Sequence, residues 1–179
     1  MKTSVFGGSH ASEGTPAYSE ALQLGESLAQ LGHTVLTGGY IGTMEAVSRG
    51  AAGAGGHVIG VTCVEIERWH EKRSVNRWVK EEWKKQTLLD RLEALVTACD
   101  AALALPGGPG TLTEIALTWN LMIINAIPEK PLILIGEGWQ AVLEELWRRL
   151  GEYTPESQRR YVQFAPNAQA AVTMLADLK

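Results

Sequence analysis

The run Pro106-Gly107-Gly108-Pro109-Gly110-Thr111, followed by Glu114, gathers backbone amides, a hydroxyl and a carboxylate within a few residues. Glycines without a Cβ let an oxyanion approach the main chain, and a helix start adds unsatisfied N–H groups and the positive end of a dipole. Phosphate binding is therefore the chemistry expected of Gly107, Gly108, Gly110 and Thr111. A carboxylate one turn on, at Glu114, would face the sugar carbon next to that phosphate. A blander reading stands beside this one: threonine with glutamate three residues later is also the spacing of a capping box, which needs no ligand.

Two further glycine turns share the pattern, Gly7-Gly8-Ser9 and Gly38-Gly39-Tyr40-Ile41-Gly42-Thr43. Each follows a short β-rich run, and in an open parallel sheet the loops leaving the carboxyl ends of strands line one crevice. A single glycine turn often does no more than tighten a strand-to-helix connection. Three converging on one edge point to a shared ligand, with Gly8, Ser9, Gly38, Gly39 and Thr43 as further contacts. None matches the dinucleotide pattern G-x-G-x-x-G with its later acid, nor the P-loop G-x-x-x-x-G-K-[ST], which disfavours a dehydrogenase or an ATPase.

The elements that must position these loops alternate along the chain. Strands are expected near Thr3 to Phe6, His33 to Leu36, His57 to Val61, Ala101 to Leu105, Leu132 to Ile135 and Tyr161 to Phe164. Helical periodicity fills the gaps at about Pro16 to Leu31, Thr43 to Ala52, Leu88 to Ala98, Thr111 to Asn125, Trp139 to Leu150 and Asn167 to Leu178. Such alternation predicts an α/β fold, a Rossmann-like, doubly wound, mainly parallel sheet with helices on both faces, forming one domain over residues 1–179.

The stretch Glu65 to Gln86 breaks the rhythm, carrying Arg68, Lys72, Arg73, Arg77, Lys80, Lys84 and Lys85 among acids and tryptophans. One reading is a solvated helix with Trp69, Trp78 and Trp83 packed inward or at an oligomer contact. The other is a cationic, aromatic flap over an anionic ligand, because arginine pairs with phosphate oxygens and tryptophan stacks on bases.

Composition narrows the partners. A formal charge of −4 gives no basic surplus for nucleic acid or an anionic membrane, and 45% hydrophobic residues suffice for a core, so a small molecule is the expected partner. No uninterrupted apolar run reaches the ~18 residues of a membrane span, and a cytoplasmic location is expected. Cys63 and Cys99 read as core residues rather than as a disulfide or a metal site. Neither a metal nor a cofactor is called for.

The segment Pro106-Gly107-Gly108-Pro109-Gly110-Thr111-Leu112-Thr113-Glu114 resembles, in full, the signature P-G-G-x-G-T-x-x-E of the LOG (LONELY GUY) family, long mislabelled as lysine decarboxylases. Gly38 to Ala46 is similar to that family's second glycine motif, and Cys99-Asp100-Ala101 also fits. The chain departs at Tyr40 and Glu45, where the family has glycines, and at Arg91-Leu92, where it has arginine-lysine. The resemblance implies a Rossmann-like fold, a homodimer or higher homo-oligomer, and hydrolysis of the N-glycosidic bond of nucleoside 5′-monophosphates, cytokinin ribotides among them. It also implies a catalytic pair, Glu114 and Arg91, with the arginine keeping the carboxylate ionised. Relatives that carry the molybdenum cofactor leave a binding protein for a phosphorylated ligand as the alternative. Amino-acid decarboxylation is disfavoured, because a pyridoxal Schiff base needs a lysine and none stands beside the glycine signature.

Overall fold

A computed structural model describes residues 1–69 and 74–177. Its centre is a seven-stranded sheet in the order β4-β3-β2-β1-β5-β6-β7, and every neighbouring pair is parallel. The strands are β1 (Lys2–Phe6), β2 (Thr34–Thr37), β3 (Val58–Cys63), β4 (Glu81–Lys85), β5 (Ala101–Ala104), β6 (Leu132–Ile135) and β7 (Gln163–Ala165). The helices are α1 (Pro16–Gln30), α2 (Thr43–Gly53), α3 (Val64–Trp69), α4 (Leu88–Thr97), α5 (Pro109–Ile123), α6 (Glu137–Leu150), α7 (Glu156–Arg159) and α8 (Ala168–Ala176).

Alternation along each strand divides the core into two layers. Val5, Val35, Val58, Leu103 and Ile133 pack under α1, α2 and α8. Their neighbours Phe6, Leu36, Ile59, Ala104 and Leu134 pack under α4, α5 and α6. Both faces of the sheet are thereby covered, as expected of an all-parallel sheet. Where α1 crosses α2, a Cβ on Gly25 would overlap the Val47 carbonyl and one on Gly50 the Leu22 carbonyl, so the two backbones pack directly against each other.

The chain leaves β1 toward β2 on one side and returns to β5 on the other. This order change between β1 and β5 opens a crevice above their carboxyl ends, and all three glycine loops emerge there.

Three expectations need correction. The segment Glu65 to Gln86 is not one solvated helix: it contains the short α3 and then β4, an edge strand paired to β3 with Trp83 opposite Val61. Glu81-Glu82-Trp83-Lys84-Lys85 lacks an apolar run because an edge strand covered on one side only has no need of it, and its charges discourage pairing with another chain. Lys72 and Arg73 lie outside the described residues. The second correction concerns α5, which starts at Pro109, two residues before the expected Thr111. Proline at the first helical position is favoured because its missing N–H would have no partner there. Gly108 is the N-cap and no side chain caps the helix, so Thr111 and Glu114 form no capping box. The box instead closes α4, where Thr87 accepts from the Asp90 N–H and Asp90 accepts from the Thr87 N–H.

Among the described residues no helix is long and apolar enough to cross a membrane. Both cysteines are buried and unpaired.

Candidate functional site

The three loops are knitted together by their backbones. The Thr43 N–H and hydroxyl both donate to the Gly8 carbonyl, at 3.0 and 3.1 Å, which ties the second loop to the first. A Cβ on Gly8 would stand 3.3 Å from Gly107 Cα, and one on Gly107 would overlap the Thr111 hydroxyl. Close approach, rather than unusual dihedrals, is what requires glycine at these two positions.

Above them lies a cavity of about 410 Å³ whose floor includes Gly8, Ser9, Gly108, Gly110 and Thr111. Gly108 and Gly110 have nothing within 4 Å of where a Cβ would be, so this backbone is open to a ligand. The first turn of α5 supplies the unsatisfied N–H groups, and no acidic residue opposes the positive dipole end within that turn.

Arg91 and Glu114 meet at the back of the same cavity. Each is only 6% exposed, although sequence alone would place a helical arginine at the surface. Arg91 Nη1 lies 3.7 Å from Glu114 Oε1, an ion pair without a hydrogen bond. The guanidinium is fixed from below: Nε donates to the Val61 carbonyl at 2.8 Å and Nη2 to the Gly38 carbonyl at 3.2 Å. It also stands 5.6 Å from the Tyr40 ring centroid.

Burial pushes the Glu114 carboxyl up to about 7, and Arg91 offsets only part of that rise. The expectation that arginine keeps this acid firmly ionised is thus corrected: desolvation wins, and the group titrates near neutrality. A buried acid poised there can accept or return a proton.

Gly38, Gly39 and Thr43, expected against the ligand, stand behind the cavity wall. The Gly39 N–H donates to the Thr37 hydroxyl, and the Gly39 carbonyl accepts from the Asn76 backbone N–H and side-chain amide. A Cβ on Gly38 would overlap the Arg91 guanidinium. Gly38 of this loop is instead packed on Arg91, its carbonyl accepting from Nη2.

Two residues of this support were given no role from sequence. Tyr40 is buried, its hydroxyl donating to the Cys63 carbonyl at 3.1 Å and accepting from the Cys63 N–H at 2.8 Å. Burial raises that hydroxyl above its usual range, so it stays protonated and can donate. Asn76 bonds both the Gly39 and Tyr40 carbonyls from 37 and 36 residues away, a pairing no local pattern announces. Among the described residues no cluster of His, Cys, Asp and Glu could hold a metal ion.

Known proteins resemble this arrangement over nearly all of the chain. A cytokinin riboside 5′-monophosphate phosphoribohydrolase of Arabidopsis thaliana is 31% identical over 179 residues, spanning 97% of this chain and 80% of that protein. A probable enzyme of the same description from Oryza sativa subsp. japonica is 29% identical over 177 residues, spanning 97% and 70%. Among solved structures, the molybdenum cofactor binding protein from Rippkaea orientalis superposes with a TM-score of 0.76 at 26% identity, covering 99% of this chain and 96% of that one. The molybdenum cofactor carrier protein from Chlamydomonas reinhardtii gives 0.72 at 23% identity and has the same fold. With residues 1–158 matching the SLOG cluster4 family and LOG proteins related along almost its whole length, the chain belongs to that family.

Proposed function

We propose that this protein is a hydrolase that cleaves the N-glycosidic bond of nucleoside 5′-monophosphates, releasing free base and ribose 5-phosphate. The observation that carries this reading is the placement of Glu114. It is a buried carboxyl beside Arg91, one turn along the helix whose open first turn faces the same cavity.

In this reading the 5′-phosphate rests on the Gly108 and Gly110 backbone and near the Thr111 hydroxyl, stabilised by the α5 dipole, with Gly8 and Ser9 closing the other side. Ionised Glu114 stabilises the positive charge that builds on the anomeric carbon and takes a proton from the attacking water. Water oxygen bonds to that carbon as the carbon–nitrogen bond breaks, and the base leaves with the bonding pair and a proton. Arg91 limits the cost of ionising Glu114 in its buried setting. The kinship with phosphoribohydrolases over 97% of the chain supports the reaction class.

The likeness to the Rippkaea orientalis protein supports a second reading, a binding or carrier protein for a phosphorylated ligand such as a nucleotide or the molybdenum cofactor. Incubation with AMP followed by chromatography separates the two. Free adenine, formed by the native protein and not by Glu114→Gln, supports hydrolysis; binding without adenine supports the carrier.

A further inference from the structure

We infer that His10 is a further ligand-binding residue of this cavity: its imidazole donates to an oxygen of the bound phosphate and supplies positive charge that the start of α5 lacks. This deepens the proposed function and rests on its reading of the α5 end as a phosphate site. It does not depend on whether the N-glycosidic bond is then cut.

The described ionisable lining of the cavity is His10, Tyr40, Arg91 and Glu114, which is short of positive charge for a phosphate ligand. A phosphate monoester brings a charge of about −1.5 to −2 at neutral pH, and ionised Glu114 adds another negative charge. Against these stand Arg91 and the helix end, the latter equivalent to roughly +0.5. About one negative charge is left without a counterpart. Arg91 is already committed, its Nε and Nη2 donating to the Val61 and Gly38 carbonyls and its Nη1 facing Glu114. Tyr40 is kept protonated by burial, with its hydroxyl taken up by the Cys63 backbone. His10 is what remains, and an imidazole beside an anion favours its charged form.

The fold places this side chain without using it. His10 stands on the loop between β1 and α1, directly after Gly8 and Ser9. One end of that loop is pinned where the Gly8 carbonyl accepts from the Thr43 N–H and hydroxyl and where Gly8 packs against Gly107. At the other end the Thr15 N–H and hydroxyl donate to the Ser12 carbonyl at 3.0 and 2.7 Å, and the same hydroxyl caps α1 by accepting from the Tyr18 N–H. Between these fixed points His10 lines the same cavity as Gly108, Gly110 and Thr111. It is exposed, and among the described residues its imidazole has no hydrogen-bond or ion-pair partner. Glu13, an acid three residues along the loop, is paired with Arg49 at 2.6 Å instead. The ring is therefore available to a ligand.

The test is calorimetric titration with ribose 5-phosphate, which carries the phosphate and no base. His10→Ala should weaken binding by about tenfold or more, the scale of a hydrogen bond to a charged group, and His10→Arg should hold it within about threefold of the native protein. Thermal melting without ligand should be unchanged in both variants, because His10 holds nothing in the fold. With AMP as substrate the loss should appear in KM rather than kcat, since the phosphate is gripped alike before and during bond cleavage. Unchanged ribose 5-phosphate affinity in His10→Ala overturns the assignment, as does a loss that His10→Arg fails to recover or one confined to kcat. If the native protein does not bind ribose 5-phosphate, the phosphate reading falls and His10 with it. If binding depends on His10 yet AMP releases no adenine, only the hydrolase reading falls.

Discussion

Two glycine-rich loops leave neighbouring parts of the sheet and look alike in sequence, yet they do opposite work. At Gly107 to Gly110 the backbone at Gly108 and Gly110 faces empty space, and missing side chains leave room for a ligand. At Gly38 to Gly42 the space is already filled. Cβ atoms there would overlap the Arg91 guanidinium at Gly38, stand 2.9 Å from a Thr62 methyl at Gly39 and overlap the Gly8 carbonyl at Gly42. The same residue type serves approach in one loop and internal packing in the other. What distinguishes them is the partner, not the motif.

The sharpest break of this comparison is Gly38→Ala. Its methyl would have to displace Arg91 or Met44, both packed against that position, so turnover should fall by about 100-fold or more and the fold should lose about 1–3 kcal/mol. Denaturant unfolding alongside base-release kinetics would register both.

Glu114→Gln should match the loss in turnover, about 100-fold, while leaving the fold intact. Its effect on stability has a definite pH dependence. The folded carboxyl is raised from 4.5 to about 7, so between those values the native state holds a proton that the unfolded chain has lost. Stability contributed by the protonated acid is therefore complete below about pH 4.5 and disappears as the pH rises through about 7. Equilibrium unfolding should show the glutamine variant equal to the native protein near pH 4.5. By about pH 8 it should be more stable by up to roughly 3 kcal/mol, taking ~1.4 kcal/mol per pKa unit.

Gly110→Ala, in the open loop, should do the reverse of Gly38→Ala. Alanine in the first turn of α5 should add about 0.5–1 kcal/mol of stability, because nothing stands in its way and the unfolded chain loses freedom. Its methyl should nevertheless weaken ribose 5-phosphate binding by several-fold. Calorimetry paired with thermal melting would expose this opposition between stability and affinity.

These contrasts also explain what could be read from sequence. The β1, β2, β3, β5 and β6 strands were legible as short β-rich runs, wholly apolar in Leu132-Ile133-Leu134-Ile135 and Ala101-Ala102-Leu103-Ala104, because parallel strands are buried on both faces. β4 was not, because Glu81 to Lys85 sits at the sheet edge where charge is tolerated. Glu114 and Arg91 were legible through the family signature, and the fold brings them together. The divergent roles of the glycine loops were hidden, because whether a missing Cβ faces solvent or Arg91 depends on side chains arriving from distant elements. Tyr40 illustrates the same point: as a departure from the family's glycine it gave no sign that its hydroxyl would bridge the Cys63 backbone.

A crystal structure with ribose 5-phosphate bound tests the central claim most directly. Phosphate oxygens within hydrogen-bonding distance of the Gly108 and Gly110 backbone, with the anomeric carbon turned toward Glu114, is the predicted result. A phosphate seated instead on the Gly38 to Gly42 loop, or a sugar turned away from Glu114, would contradict it.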